Sequence, residues 1–312
     1  MNFSQVLIVP VIRNRSPAFF IADTLCAVLD LHSIERLDSA QGTLDNHRYP
    51  ANREGPMEPS LFQTMFSRRH PIIAMIHVFE DELSVQRAQA LEDLGRLEGS
   101  VDGVIVENYD CGYADRNRAT TKMVNTLFEI TRAVVKRSSI PVGVNVLPND
   151  YEHAFTIASL TGARFIQMDH ATGVFAGCAS VDPEHLQWFR DVYPDIAVLG
   201  GIHPKYYELI DPRTPIERSA RIARDLTDAI VVTGKETGAP TSLPDLRAVK
   251  RVVGDHPVLV GSGLTVETVP TVLAIADGAI VGTAFKRNGV RPREPIDADL
   301  CKTFMAAVNA LR

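Results

Sequence analysis

The sequence is poor in the features that mark several protein classes. Its four cysteines, Cys26, Cys111, Cys178 and Cys301, lie far apart and form no CxxC pair. That argues against a disulfide framework and a structural zinc site and suits reduced thiols in a cytoplasmic protein. No run of about 18 uninterrupted apolar residues occurs, so no membrane-spanning helix and no membrane partner are expected. Met1–Gln5 supplies no basic segment ahead of the apolar Val6–Ile12, so nothing resembles a signal peptide. Positive charge is not in excess: 32 Lys and Arg against 38 Asp and Glu leave a net charge of −6. A dedicated nucleic-acid binder needs a basic face, so no nucleic-acid partner is expected. Low-complexity tracts, blocks of like charge and metal motifs of fixed spacing are missing too. No cofactor is predicted on this reading, and a divalent ion such as Mg stays open as an alternative.

What remains is an ordinary globular composition, 45% hydrophobic and 22% charged. With 312 residues the chain can form one large α/β barrel with an appendage, or two domains. From Pro71 onward, short apolar runs alternate with segments of helical period. The runs are Ile72–Val78, Val101–Glu107, Pro141–Leu147, Phe165–Met168, Ala197–Ile202, Ala229–Thr233, Pro257–Val260 and Gly278–Val281. Continuous apolar runs suit parallel strands buried on both faces. The intervening stretches, Glu82–Glu98, Lys122–Lys136, Glu152–Thr161, Asp182–Tyr193, Ile216–Leu226, Leu243–Val253 and Thr265–Ala276, read as amphipathic helices, with Asp297–Leu311 as the eighth. The pattern predicts an α/β fold, a (β/α)8 TIM barrel over residues 66–312. Residues 1–65 form an N-terminal extension in this reading. It contains an apolar helix at Ala18–Leu31 and a short helix within Pro59–Arg69, and it serves as a cap on the barrel floor or an oligomer contact. A homo-oligomer is expected.

Two late glycine-containing runs carry the strongest chemical signal. Val258–Thr265 and Gly278–Lys286 each place glycine beside Ser or Thr at the end of a strand. Small residues let backbone N–H groups approach an anion, and a helix starting near Thr265 would add its amino terminus. This predicts a phosphate site at Gly261, Ser262, Gly263, Gly282 and Thr283, joined by Gly234 and Lys235 in the loop after the sixth strand. The other strand ends supply a polar ring: His77, Glu107, Asn145, Asp169, His203 and Lys205. Charged groups beside apolar strands are costly unless they meet partners or a ligand. These six are the catalytic candidates, with Glu107 the most consequential. Trp188, Tyr206 and Tyr207 could line a substrate pocket, with core or surface packing the preferred reading.

Several strings together resemble the BtpA/SgcQ family: Pro71–His77, Val101–Asn108, Pro141–Leu147 with Asn149 and Asp150, Gly162–Ile166, Val231–Gly234 with Thr237 and Gly238, and the two glycine runs. The resemblance covers about residues 65 to 290. It implies a phosphate-binding barrel; one member name is tied to photosystem I, others to a nucleoside triphosphatase, and neither label identifies a reaction. The extension and the Ala171–His185 loop depart from the usual pattern. A looser resemblance is to the tryptophan synthase alpha subunit. There a catalytic Glu ends the second strand, an Asp follows in the next loop, and phosphate sits on glycine turns after strands 7 and 8. Glu107, Asp110 or Asp115, and the glycine turns occupy comparable places. The expected function is that of an enzyme on a sugar phosphate or ribosyl phosphate, by lyase, isomerase or glycosidic-bond-cleavage chemistry. Two alternatives stand beside it. One is a divalent-metal hydrolase using His77, Glu107, Asp169 and His203; the other is a non-enzymatic assembly or stability factor.

Overall fold

The computed structural model describes residues 59–287 and 293–312. The apolar segment Val6–Ile12, readable as a strand or a buried extended segment, and the helix expected at Ala18–Leu31 lie outside the described residues. Eight strands alternate with helices: β1 Ile72–Val78, β2 Gly103–Asn108, β3 Val142–Asn145, β4 Phe165–Met168, β5 Ala197–Ile202, β6 Ala229–Val232, β7 Val258–Val260 and β8 Gly278–Val281. They close in sequence order, β8 pairing with β1, every pair parallel. The helices are α1 Leu61–Met65, α2 Leu83–Leu97, α3 Thr121–Arg137, α4 Tyr151–Thr161, α5 Pro183–Val192, α6 Ile216–Leu226, α7 Leu243–Val253, α8 Val269–Leu273 and α9 Ala298–Asn309. The chain therefore folds as a (β/α)8 TIM barrel. No helix among the described residues is long and apolar enough to cross a membrane.

Strand alternation sorts the core into two shells. Ile72, Ala74, Ile76 and Val78 of β1 pack outward against the helices, and Ile73 and Met75 point into the barrel. The same parity places Ile105, Phe165, Ala197, Leu199, Ala229, Val231, Leu259 and Ile280 inside. Phe62 of α1 and Phe66 just beyond it join this inner cluster, with the Phe66 ring 5.9 Å from that of Phe165. Phe165 opens β4, so this short helix plugs the amino-terminal end of the barrel. Its start is fixed by a capping box in which Ser60 and Gln63 satisfy each other's backbone N–H. Side-chain N-caps recur at Thr120, Asp150, Asp182, Ser242 and Asp297.

One expected helix is much shorter than the sequence suggested. The segment read as Thr265–Ala276 is helical only over Val269–Leu273. Pro270 lacks the N–H that a helix interior needs and fits only the first turn, which pins the start there. The Thr265 N–H donates instead to Thr268 Oγ1 at 2.9 Å. The helix amino terminus is thus displaced from the glycine turn, and it does not supply the anion site expected of it.

A repeated aspartate clamp closes the floor. Asp102, Asp228 and Asp277 each precede a strand, and each accepts an N–H from the start of the strand before it: Ile72, Val198 and Val258, at 2.8, 2.8 and 2.7 Å. Each also meets a cation, Arg312, Arg190 and Lys250 respectively. The clamps satisfy donors that a parallel sheet leaves open at its ends. Asp228 is 5% exposed, so Asp228→Ala would orphan a buried N–H and one partner of the half-buried Arg190 guanidinium. A loss of about 2–4 kcal/mol is expected by chemical denaturation. A change below about 0.5 kcal/mol would show that the clamp contributes nothing.

Candidate active site

The inward parity that builds the core turns polar at the carboxyl ends of the strands. Residues in register across four neighbouring strands are His77, Glu107, Asn145 and Gln167. All four follow apolar inward residues on their strands or, in β3, an inward glycine. They form one row above the inner core. Asp169 follows β4, and Gly201 of β5 makes room for it. A Cβ at position 201 would stand 1.8 Å from the Asp169 carbonyl oxygen, so no larger residue fits.

A cavity of about 630 Å³ opens over this row. His77, Glu107, Asp169 and Lys205 line it, and so do Gly261, Ser262, Gly263, Gly282 and Thr283. Nine of the thirteen residues singled out from the sequence therefore share one cavity. Asn145 lies beneath it, fully buried, and donates from Nδ2 to Glu107 Oε2 at 2.7 Å. Tyr109, Asp110, Tyr113, Arg116, Tyr206 and Tyr207 complete much of the wall.

Three of the expected site residues that are not in the buried row, His203, Gly234 and Lys235, lie off the cavity wall. His203 is turned to α6, where its Nε2 lies 2.9 Å from Ser219 Oγ, and it does not line the cavity. The four-residue metal set proposed from the sequence consequently does not converge; among the described residues no group of three or more His, Cys, Asp or Glu is placed to hold a metal ion. Lys235 is exposed and lies off the cavity wall. Gly234 is buried and also off the wall, its N–H directed at Ser262 Oγ at 3.3 Å. The Ser262 hydroxyl is itself occupied, donating to the Ala239 carbonyl at 2.8 Å. It fastens the loop after β6 to the loop after β7, so Ser262 reaches the cavity without a free hydroxyl. Gly263 completes this junction with φ of 65°, and a Cβ there would fall 2.2 Å from the Ala239 oxygen.

Two side chains that the sequence reading left aside belong to the site. The Tyr207 hydroxyl donates to Asp169 Oδ2 at 2.8 Å, so Tyr207 is a site residue rather than packing. Lys286 is 3% exposed, and its Nζ lies 3.0 Å from His77 Nδ1. A lysine ending a strand–turn segment that is otherwise apolar was the available signal. Asn108, by contrast, ties the loops after β2 and β3: it accepts the Leu147 N–H at 2.8 Å and donates to the Cys111 carbonyl at 3.0 Å.

The electrostatics set the carboxylates apart from surface acids. Burial, reinforced by the nearby Asp169 charge, pushes Glu107 up to about 7, against the opposing pull of Lys205, Asn145 and Lys286. Burial also raises Asp169, opposed by the Tyr207 hydrogen bond and Lys205. An acid held near 7 beside a second carboxylate can both give and take a proton at neutral pH, which suits Glu107 to proton transfer. His77 Nε2 stands 3.8 Å from Glu107 Oε1. That is too long for a hydrogen bond and leaves space for a substrate atom to meet both.

The BtpA family model matches residues 68–310. The photosystem I biogenesis protein BtpA of Synechocystis is 31% identical over 263 residues, covering 80% of this chain and 91% of that protein. An uncharacterised protein of Pyrococcus furiosus is 33% identical, covering 79% of this chain and 97% of its own length. The putative sgc region protein SgcQ of Escherichia coli is 30% identical, covering 77% and 95%. Among solved structures, a mutant tryptophan synthase alpha-subunit from Pyrococcus furiosus superposes with a TM-score of 0.52 at 16% identity, covering 77% of this chain and 98% of that one. That likeness is one of fold. The chain belongs to the BtpA family.

Proposed function

We propose that this protein is an enzyme acting on a phosphorylated small molecule, a sugar phosphate or ribosyl phosphate, by proton transfer at the barrel mouth. The observation that carries the reading is two neighbouring carboxylates raised by removal from water, the buried Glu107 and the half-buried Asp169, in one cavity with the glycine turns after β7 and β8. In this reading the phosphoryl group rests on the turns at Gly261–Gly263 and Gly282–Thr283, and the reacting carbons lie over Glu107. Glu107 moves the proton, Asp169 is the partner carboxylate oriented by Tyr207, and Lys205 stabilises negative charge that develops between them. Lyase, isomerase and glycosidic-bond cleavage share this need. A volume of about 630 Å³ accommodates a pentose phosphate with a substituent.

Ribose 5-phosphate is a suitable probe of the anchor. Thr283 lines the cavity at the β8 turn, and Thr283→Asp would set a carboxylate against the phosphoryl group. Calorimetry is expected to show affinity reduced by roughly 10²-fold or more, with the melting temperature close to that of the parent. Undiminished affinity would place the phosphate elsewhere.

The acid/base role separates from a structural one by measuring activity and stability together. A panel of sugar and ribosyl phosphates identifies a substrate by turnover. Glu107→Gln, which keeps the acceptor for Asn145, is then expected to lower kcat by roughly 10²-fold or more while ligand binding persists. Stability moves the other way. Because Glu107 is pushed from 4.5 to about 7 in the fold, the native state holds a proton that the unfolded chain releases. Its contribution is therefore neutral at low pH and increasingly unfavourable as pH rises from about 4.5 through about 7. Glu107→Gln should melt several degrees above the parent at pH 8 and close to it near pH 4.5. Retained turnover, or a variant that melts lower at pH 8, would remove Glu107 from the chemistry.

A further inference from the structure

Lys286 stands behind the cavity wall rather than on it, and what it touches is the imidazole of His77. Phe285, the residue before it, is fully buried and packs edge-on against Phe304 of α9 at 5.2 Å. The Phe285 carbonyl accepts the Asp297 N–H at 2.7 Å, and the Lys286 N–H donates to Thr283 at 3.1 Å. The backbone carrying the lysine is thereby fixed on both sides. Its Nζ lies 3.0 Å from His77 Nδ1, and both residues are buried. Three carboxylates surround the ammonium electrostatically: Asp93 of α2, Glu294 and Glu107. Burial brings Lys286 down to about 8, which leaves it charged at neutral pH.

An ammonium carries only donors, so the atom facing it must accept. A cation at this distance also disfavours a second positive charge on the ring. The first effect places the ring proton on the far nitrogen, and the second works against the imidazolium that Glu107 would favour. We propose that Lys286 is a positioning residue that fixes His77 as the neutral Nε2–H tautomer, facing Glu107 across a gap that the substrate fills. The ring has little freedom to turn away. Tyr109 packs edge-on against it at 4.9 Å, and a Cβ at Gly282 would stand 3.4 Å from its Cε1. A neutral imidazole held this way is a directed donor to a substrate oxygen, polarising a carbonyl or meeting a developing oxyanion while Glu107 handles the proton. The assignment of that catalytic use to His77 rests on the acid/base reading given above. The tautomer itself does not, and it is measured without turnover.

The test is the 15N spectrum of the full-length chain labelled at histidine, recorded at pH 7, with the His77 signals identified by their loss in His77→Gln. The parent is expected to show an unprotonated Nδ1 and a protonated Nε2. In Lys286→Met, which keeps the bulk and removes the donor, His77 should move to the Nδ1–H tautomer or the imidazolium. Lys286→Arg, which restores a donor, should return the parent pattern. A parent with protonated Nδ1, or a Lys286→Met spectrum unchanged at His77, overturns the proposal. Should Lys286→Met not fold, raising the parent to pH 10 makes the same measurement. Loss of the ammonium leaves an amine that can accept as well as donate and removes its charge, so the tautomers should redistribute, and an unaltered His77 signal overturns the proposal. Turnover retained in Glu107→Gln with the tautomer as expected would defeat the acid/base reading alone.

Discussion

The parity of eight parallel strands closed on one another governs this molecule. Once the ring closes, every second residue of each strand must enter a space with no room for water, and its neighbours must face helices. Ile73, Met75 and His77 therefore share one direction, as do Ile105 and Glu107. The hydrophobic residues nearer the floor fill the interior and hold the register. A slip of one residue would send Glu107 outward among the helices and bring Val106 or Asn108 to the mouth. The site depends on the core in this literal sense.

The same closure makes the site costly. Glu107 and Asp169 are taken from water, and the Asp169 charge adds to the cost of ionising Glu107. The fold offsets the cost only in part, with Asn145 and Tyr207 donating and the positive charge of Lys205 close by. The result is stability given up to keep two carboxyl groups at the mouth, with Glu107 pushed up to about 7 and Asp169 raised by burial. Clamps such as Asp228 with Arg190 stand at the opposite end of the barrel. There ion pairs and satisfied backbone donors secure the strand starts, leaving the mouth free to carry strain.

The family spans a cyanobacterial photosystem I biogenesis protein, archaeal proteins and a bacterial sgc region protein. Those names describe their bearers and give no reaction in common. The likeness to the tryptophan synthase alpha-subunit is a likeness of scaffold, and unrelated chemistries occupy that scaffold. The chemical proposal accordingly rests on the row His77, Glu107, Asn145 and Gln167, the adjoining Asp169 and the glycine turns facing the same cavity.

The sequence by itself determined the barrel. Apolar runs such as Ile72–Val78 and Ala197–Ile202 are confirmed residue for residue as strands, because a strand buried on both faces must be continuously apolar. Glu107 and Asp169 were legible too, since a carboxylate closing such a run has little reason to be there without a task. Tertiary structure decided where side chains from separate strands meet. His203 looked equivalent to His77 in the chain, yet the backbone at φ of 45° sends it to Ser219 on α6. Ser262 looked like an anion donor, but its hydroxyl closes a junction with Ala239, 23 residues away. Lys286 stood out only as a lysine ending an apolar segment; its contact with His77 spans 209 positions and exists only when β8 closes against β1. Local pattern encodes which residues a strand buries; long-range closure alone sets which of those buried groups touch.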